Sequence, residues 1–239
     1  IVNSTDRKDT EELMAMRDYI DVLIPRGGAD LIKTTIEKSR IPVIETGTGN
    51  CHLYVEEDAD LQKATPIVIN SKIQKPGVCN AAEKLLVDQK IAKDYLPIII
   101  AELRKNRVEV RGDTATRNIV PDVKAATEED WYTEYLDLII GIKVVSNLDE
   151  AIAHINKYGT HHSDSIVTRD FAKATRFLKE VDSAAVYWNV STRFTDGNQF
   201  GLGSEIGISN QKLHARGPMS VQQLTTTKYV VVGDGQIIK

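Results

Sequence analysis

The stretch "YIDVLIPRGGADLIKTTIEKSRIPVIETGTG", residues 19–49, sets the fold class of this chain. Its first ten residues are a compact apolar run closed by Pro25, Arg26 and two glycines, a pattern that predicts a strand and a turn. From Ala29 the period changes: Leu31, Ile32 and Ile36 fall at helical spacing with lysines opposite. "IPVIETGTG" is then a second short apolar strand ending in glycine, and "DTEELMAMR" (9–17), ahead of the first strand, predicts a short amphipathic helix. Helix, strand, helix, strand is the alternation of a parallel α/β layer.

The same alternation continues downstream. Helices are predicted through "TPIVINSKIQ" (65–74), over "NAAEKLLVD" (80–88), where the turn "KPGVC" opens it, and over "KDYLPIIIAELRKN" (93–106). "RVEVRGD" reads as strand and turn, "EYLDLIIGIKVVSN" as an apolar strand region, "LDEAIAHINKYG" as a helix ended by Gly159. "SDSIVTRD", "FAKATRFLKEV" and "AAVYWNVS" complete a strand, a helix and a strand. Residues 192–217 are polar and glycine-containing, long enough for a functional loop. The tail "TTKYVVVGDGQIIK" (226–239) predicts one strand open to pairing with another chain.

Composition narrows the function classes. Of 239 residues, 41% are hydrophobic and 27% charged, with a formal net charge of -4, so nucleic acid and anionic membranes are not expected partners. No apolar run approaches the ~20 residues that span a bilayer, and no signal segment opens the chain, which makes a cytoplasmic location the expectation. Two cysteines, Cys51 and Cys79, match no disulfide framework or metal pattern. The chain begins at Ile1 without methionine, directly in patterned sequence, as a piece of a longer protein would.

Two readings of Cys79 are open on the residues alone. At the mouth of the predicted helix 80–88, amide N–H groups and the helix dipole would favour a thiolate nucleophile. Alternatively it is a small buried residue filling a gap. Glu45 ends an apolar strand beside a glycine turn, where parallel sheets carry functional groups, or is a solvated turn residue. Ser191, Thr192, Arg193 and Thr195 follow an apolar strand and offer hydroxyls and a guanidinium to an anion; a surface arginine is the other reading. The strand, glycine turn and helix start at Arg26, Gly27 and Gly28 bring backbone N–H groups toward a nucleotide, or form an ordinary turn. His52, His161 and His214 are left unassigned, and no histidine and acid spacing suggests a metal.

Taken in order, "YIDVLIPRGG", "VIETGTGNCH", "PGVCNAAE", "NVSTRFTDG", "FGLGSEIGIS" and "LHARGPM" closely resemble the gamma-glutamyl phosphate reductases of the aldehyde dehydrogenase superfamily, over essentially the whole chain. The resemblance implies an α/β, aldehyde dehydrogenase-like fold: a three-layer catalytic domain with a parallel or mixed sheet (48–220), the tail end of a dinucleotide-binding domain (1–47) and an oligomerisation strand (221–239). It places the catalytic thiol on Cys79 and the strand-end glutamate on Glu45, with an assisting or merely shaping role for the latter. It assigns Ser191, Thr192, Arg193, Thr195, His162 and Ser163 to substrate, and Arg26, Gly27, Gly28 and Glu134 to the cofactor. The implied reaction is NADPH-dependent reduction of L-glutamyl 5-phosphate to L-glutamate 5-semialdehyde and phosphate through a cysteine thioester, in proline synthesis. Implied partners are further copies of the chain in a homo-oligomer and, transiently, a glutamate kinase. Family members are longer on the N-terminal side, where most of the dinucleotide-binding domain and an oxyanion-hole asparagine lie. Two other classes stay open: a catalytically silent binding or scaffold piece of such an enzyme, and a general aldehyde dehydrogenase that oxidises to the acid.

Overall fold

A computed structural model describes residues 3–238. Ile1 and Val2, in the segment expected to belong to a dinucleotide-binding domain, and Lys239, the end of the expected last strand, lie outside the described residues.

The architecture is a seven-stranded sheet in the order β4-β3-β5-β2-β1-β6-β7, every pairing parallel. Its strands are β1 (Cys51–Val55), β2 (Ala82–Asp88), β3 (Glu109–Gly112), β4 (Lys124–Ala125), β5 (Ile139–Val145), β6 (Ser163–Val167) and β7 (Ala185–Trp188). Strand alternation sorts side chains between two helical layers. Leu53, Val55, Leu85 and Val87 point to the face covered by α3 (Leu61–Ile73) and α4 (Gln89–Lys105), which contributes Tyr95, Leu96, Ile99 and Leu103. Tyr54, Leu86 and Ile166 point to the other, against Leu148, Ala151, Ile152 and Ile155 of α7 (Leu148–Tyr158) and Phe177 of α8 (Phe171–Glu180). This is the expected three-layer α/β fold.

Four local expectations change. Residues 80–88 are not a helix: from Ala82 the segment is β2, buried along its whole length at the middle of the sheet. Ala, Glu, Lys and Leu are good helix formers, but a central parallel strand is covered on both faces and loses the alternation that announces a strand. Around Leu23 and Val43 the two predicted strands run parallel but share one isolated bridge. Leu23 N–H donates to the Pro42 carbonyl (2.9 Å) and Ile44 N–H to the Leu23 carbonyl (2.8 Å), and Pro42 has no N–H with which to extend the ladder. The polar stretch 192–217 contains β8 (Gly207–Ser209), which pairs antiparallel with β9 (Gly217–Met219). Residues 226–238 form no strand within this chain, and Tyr229, Val230, Val231 and Val232 are exposed.

The short helices α1 (Arg7–Leu13) and α2 (Ala29–Lys38) precede the sheet. Two more, α5 (Thr114–Ile119) and α6 (Glu128–Tyr132), flank β4. Among the described residues no helix is long and apolar enough to cross a membrane.

Candidate active site

Cys79 sits in the turn that enters β2, and that turn is pressed onto the one that enters β1. A Cβ built on Gly49 would lie 1.4 Å from the Cys79 carbonyl oxygen, so only glycine lets the two backbones meet. Cys51, next in the β1 entry, donates its thiol to the same carbonyl at 3.1 Å. From the far side Glu134 accepts the Gly49 N–H on Oε1 at 2.5 Å. Three segments distant in sequence thereby converge on one cysteine.

The surface they form is a cleft of about 490 Å³ lined by Cys79, Glu134, Arg26, Gly27, Gly28, Thr46, Gly47, Thr48, Glu205 and Gly207, among others. The structure therefore joins the sequence-predicted nucleophile to every residue predicted for the cofactor. Gly28 is the N-cap of α2; no side chain caps the helix, and a Cβ there would meet nothing within 4 Å. Uncapped amides at a helix start facing open space, with the Arg26 guanidinium in the same wall, suit the phosphates of a dinucleotide.

The predicted electrostatics of Cys79 change with its secondary structure. No helix starts at Cys79; burial pushes its thiol up, the Glu134 and Glu205 carboxylates push it further, and Arg193 pulls back, leaving it at about 11. A buried thiol beside carboxylates resists ionisation because its thiolate would lose hydration and meet like charge. Burial also raises the Glu134 carboxyl, against the Gly49 amide and the charges of Lys84 and Lys72. Cys51 is fully buried and held well above its ordinary value, chiefly by desolvation.

The residues predicted for substrate occupy two positions. Arg193 is half-buried, donates through Nε to Gln74 Oε1 at 2.8 Å, and exerts its charge on Cys79. Ser191, Thr192, Thr195, His162 and Ser163 are buried behind the cleft. They are linked to one another and to the cysteine turn: Thr192 Oγ1 donates to the Asn80 carbonyl (2.7 Å), Asn80 Nδ2 to the Thr195 carbonyl (2.8 Å), and Ser71 Oγ to Ser191 Oγ (2.9 Å). A chain of polar atoms runs from His162 Nδ1 to Ser163 Oγ (2.8 Å), Thr195 Oγ1 (2.6 Å) and the Tyr187 hydroxyl (2.7 Å). Glu45 lines a neighbouring cleft with Lys33, Glu37 and Asn210 that shares Thr46, Gly47 and Thr48 with the cysteine cleft, and Gln211 clamps it, accepting the Glu45 N–H (2.8 Å) and donating Nε2 to Glu45 Oε1 (2.7 Å).

Sequence reading missed Glu205, Gly49, Asn80, Tyr187 and Lys84. Glu205, Gly49 and Asn80 stood inside quoted motifs; Tyr187 and Lys84 are ordinary strand residues whose importance comes from what they touch.

Comparison with known proteins agrees with this geometry. A model of the aldehyde dehydrogenase family matches residues 2–137. The gamma-glutamyl phosphate reductases of Dictyoglomus thermophilum and Carboxydothermus hydrogenoformans are each 62% identical over 237 residues, 99% of this chain and 57% of those proteins. The solved structure of the gamma-glutamyl phosphate reductase of Thermotoga maritima is 58% identical and superimposes with a TM-score of 0.98, covering 100% of this chain and 57% of that one. The chain thus spans a little over half the length of the relatives it matches. With a family model over residues 2–137, more than half of the chain, and relatives up to 62% identical, one of which superimposes on it, the chain belongs to the aldehyde dehydrogenase family.

Proposed function

We propose that this chain is the nucleophile-bearing part of an oxidoreductase that reduces L-glutamyl 5-phosphate to L-glutamate 5-semialdehyde and phosphate with NADPH, a step of proline synthesis. The observation that carries the reading is the cleft itself: Cys79, Glu134 and the Arg26–Gly28 turn share one wall, in a chain 62% identical to named gamma-glutamyl phosphate reductases.

An acyl phosphate is an activated carbonyl with a good leaving group. Cys79 Sγ attacks the carbonyl carbon, the thiol proton passes to a carboxylate, and the carbon–oxygen bond to phosphate breaks, leaving a thioester on Cys79. Glu134 is the carboxylate best suited to that proton, because it is the largest charged influence on Cys79 and burial makes it a stronger base than a carboxylate in water. Arg193 supplies the positive charge for the anionic substrate and favours the thiolate. The Arg26–Gly28 turn and the uncapped start of α2 would hold the dinucleotide phosphates, and the nicotinamide, when bound, supplies the hydride that releases the thioester as aldehyde. No water has to be activated in this sequence, so Glu45 is not required as a general base. Residues 1–47 would close a dinucleotide-binding unit, and the exposed apolar tail would pair with a second copy. The transient glutamate kinase partner belongs to the same reading.

The test is the reverse reaction of the protein that carries this chain. Reduction of NADP⁺ by glutamate 5-semialdehyde should require phosphate or arsenate and disappear in Cys79→Ser. Activity without either anion would point to a general aldehyde dehydrogenase, and activity surviving in Cys79→Ser would remove the thioester route.

A further inference from the structure

Lys84 is a fully buried lysine on β2, five residues after Cys79, its amine lowered to about 7 chiefly by burial. The neighbouring Glu83 gives its carboxylate to Lys72 at 3.1 Å, both side chains wholly buried. Lys84 instead donates to two neutral oxygens, Asn50 Oδ1 at 2.8 Å and the Thr133 carbonyl at 2.7 Å, and lies 4.5 Å from the centre of the Tyr135 ring. Burying an ammonium without a contacting carboxylate is costly, and a methionine would fill the same space without that cost.

What the ammonium holds gives the reason. Asn50 follows Gly49, whose N–H binds Glu134 and whose Cα lies on the Cys79 carbonyl. Thr133 precedes Glu134 in the chain. Asn50 is further fixed by its own donations to the Trp131 carbonyl (2.7 Å) and the Tyr158 carbonyl (2.8 Å). A single Nζ therefore bridges the two segments that meet at the Gly49–Glu134 hydrogen bond. We infer that Lys84 is a positioning residue that fixes Glu134 against Gly49 beside Cys79. This rests on the reading of Cys79 as nucleophile, but its test needs no substrate.

The charged and titratable groups facing Lys84 are Glu83, Lys72, Asp130, Cys51, Tyr135, Glu134 and His154. Of these, Glu134 also raises the Cys79 thiol, and the charge of Lys84 lowers the Glu134 carboxyl. Without the Lys84 bridge Glu134 is free to leave Gly49, and a carboxylate that moves away from Cys79 no longer raises its thiol, so Cys79 should ionise at lower pH.

The experiment measures alkylation of Cys79 by iodoacetamide against pH, with Cys51 labelling as the control for a site that has opened. In Lys84→Met, which leaves the Lys72–Glu83 pair intact, the Cys79 profile should move down by about half a unit to one unit, roughly three- to tenfold faster on its rising limb. Cys51 should stay unlabelled and turnover should fall. Glu134→Gln should move the profile equally, and the double variant no further than either single one. An unmoved profile in Lys84→Met, shifts that add in the double variant, or concurrent labelling of Cys51 would overturn the inference. Should Lys84→Met not fold, Lys84→Arg decides: it keeps N–H donors for Asn50 and Thr133 and should hold the wild-type profile, and a shift as large as that of Glu134→Gln would refute the assignment. Failure of the phosphate-dependent assay with this result intact would count against the proposed substrate, not against Lys84.

Discussion

Alkylation of the wild-type cleft should be slow and steeply dependent on pH. The buried Cys79 thiol, held at about 11, is ionised to about one part in ten thousand at pH 7, whereas an unperturbed thiol near 8.5 is ionised to about 3%. Because the thiolate is the reactive form, iodoacetamide should label Cys79 roughly 300-fold more slowly than a free cysteine at pH 7. The rate should climb about tenfold per pH unit through pH 10. Cys51, wholly buried, should remain unlabelled across the range. Intact-mass kinetics with peptide mapping read both sites at once. The carboxylates contribute to the slowness, so Glu205→Gln, which removes one repelling charge, should speed labelling at every pH on the rising limb. A rate that levels off below pH 9 would refute the reasoning, because it would require a stabilised thiolate in the free site. The activation of Cys79 would then be built into the turn rather than arise when substrate and its proton acceptor are in place.

Further outcomes follow from the packing. Gly49→Ala should abolish activity and lower thermal stability, since its Cβ would stand 1.4 Å from a backbone oxygen that no rotamer can move; a fully active variant by kinetic assay would contradict the close approach. Leu86→Ala, at the centre of the sheet between β2 and the α7–α8 layer, should cost about 2–5 kcal/mol in denaturant unfolding, and a loss under 1 kcal/mol would show that face to be loosely packed. Burial alone would raise Asp130, but hydrogen bonds from Thr127, Arg111 and Tyr135 bring its carboxyl down to about 2. Its contribution, on the order of 2 kcal/mol, should be present above about pH 4 and lost as pH falls toward 2; Asp130→Asn should flatten that acid limb of stability.

The sequence by itself determined the α/β class, because the shift from apolar runs to helical spacing in residues 19–49 and 148–191 depends only on which side chains must be buried. The residues alone left two readings of Cys79 and of the Arg26–Gly28 turn, and only the likeness of their motifs to a known family pointed to a nucleophile and a cofactor turn. Only the tertiary structure decided that residues 82–88 are a strand: neighbours on both sides and helices on both faces override the helix propensity of Ala, Glu, Lys and Leu. With that change went the helix dipole at Cys79, and the thiol became one that burial and two carboxylates hold protonated. Glu45 is held at its N–H and its carboxylate by Gln211, 166 positions away. Lys84, an unremarked letter in "AEKLLVD", gained its place from Asn50 and Thr133, 34 and 49 positions away. Short-range pattern fixes which residues are buried; which buried polar atoms find one another is settled by chain crossings that no local spacing encodes.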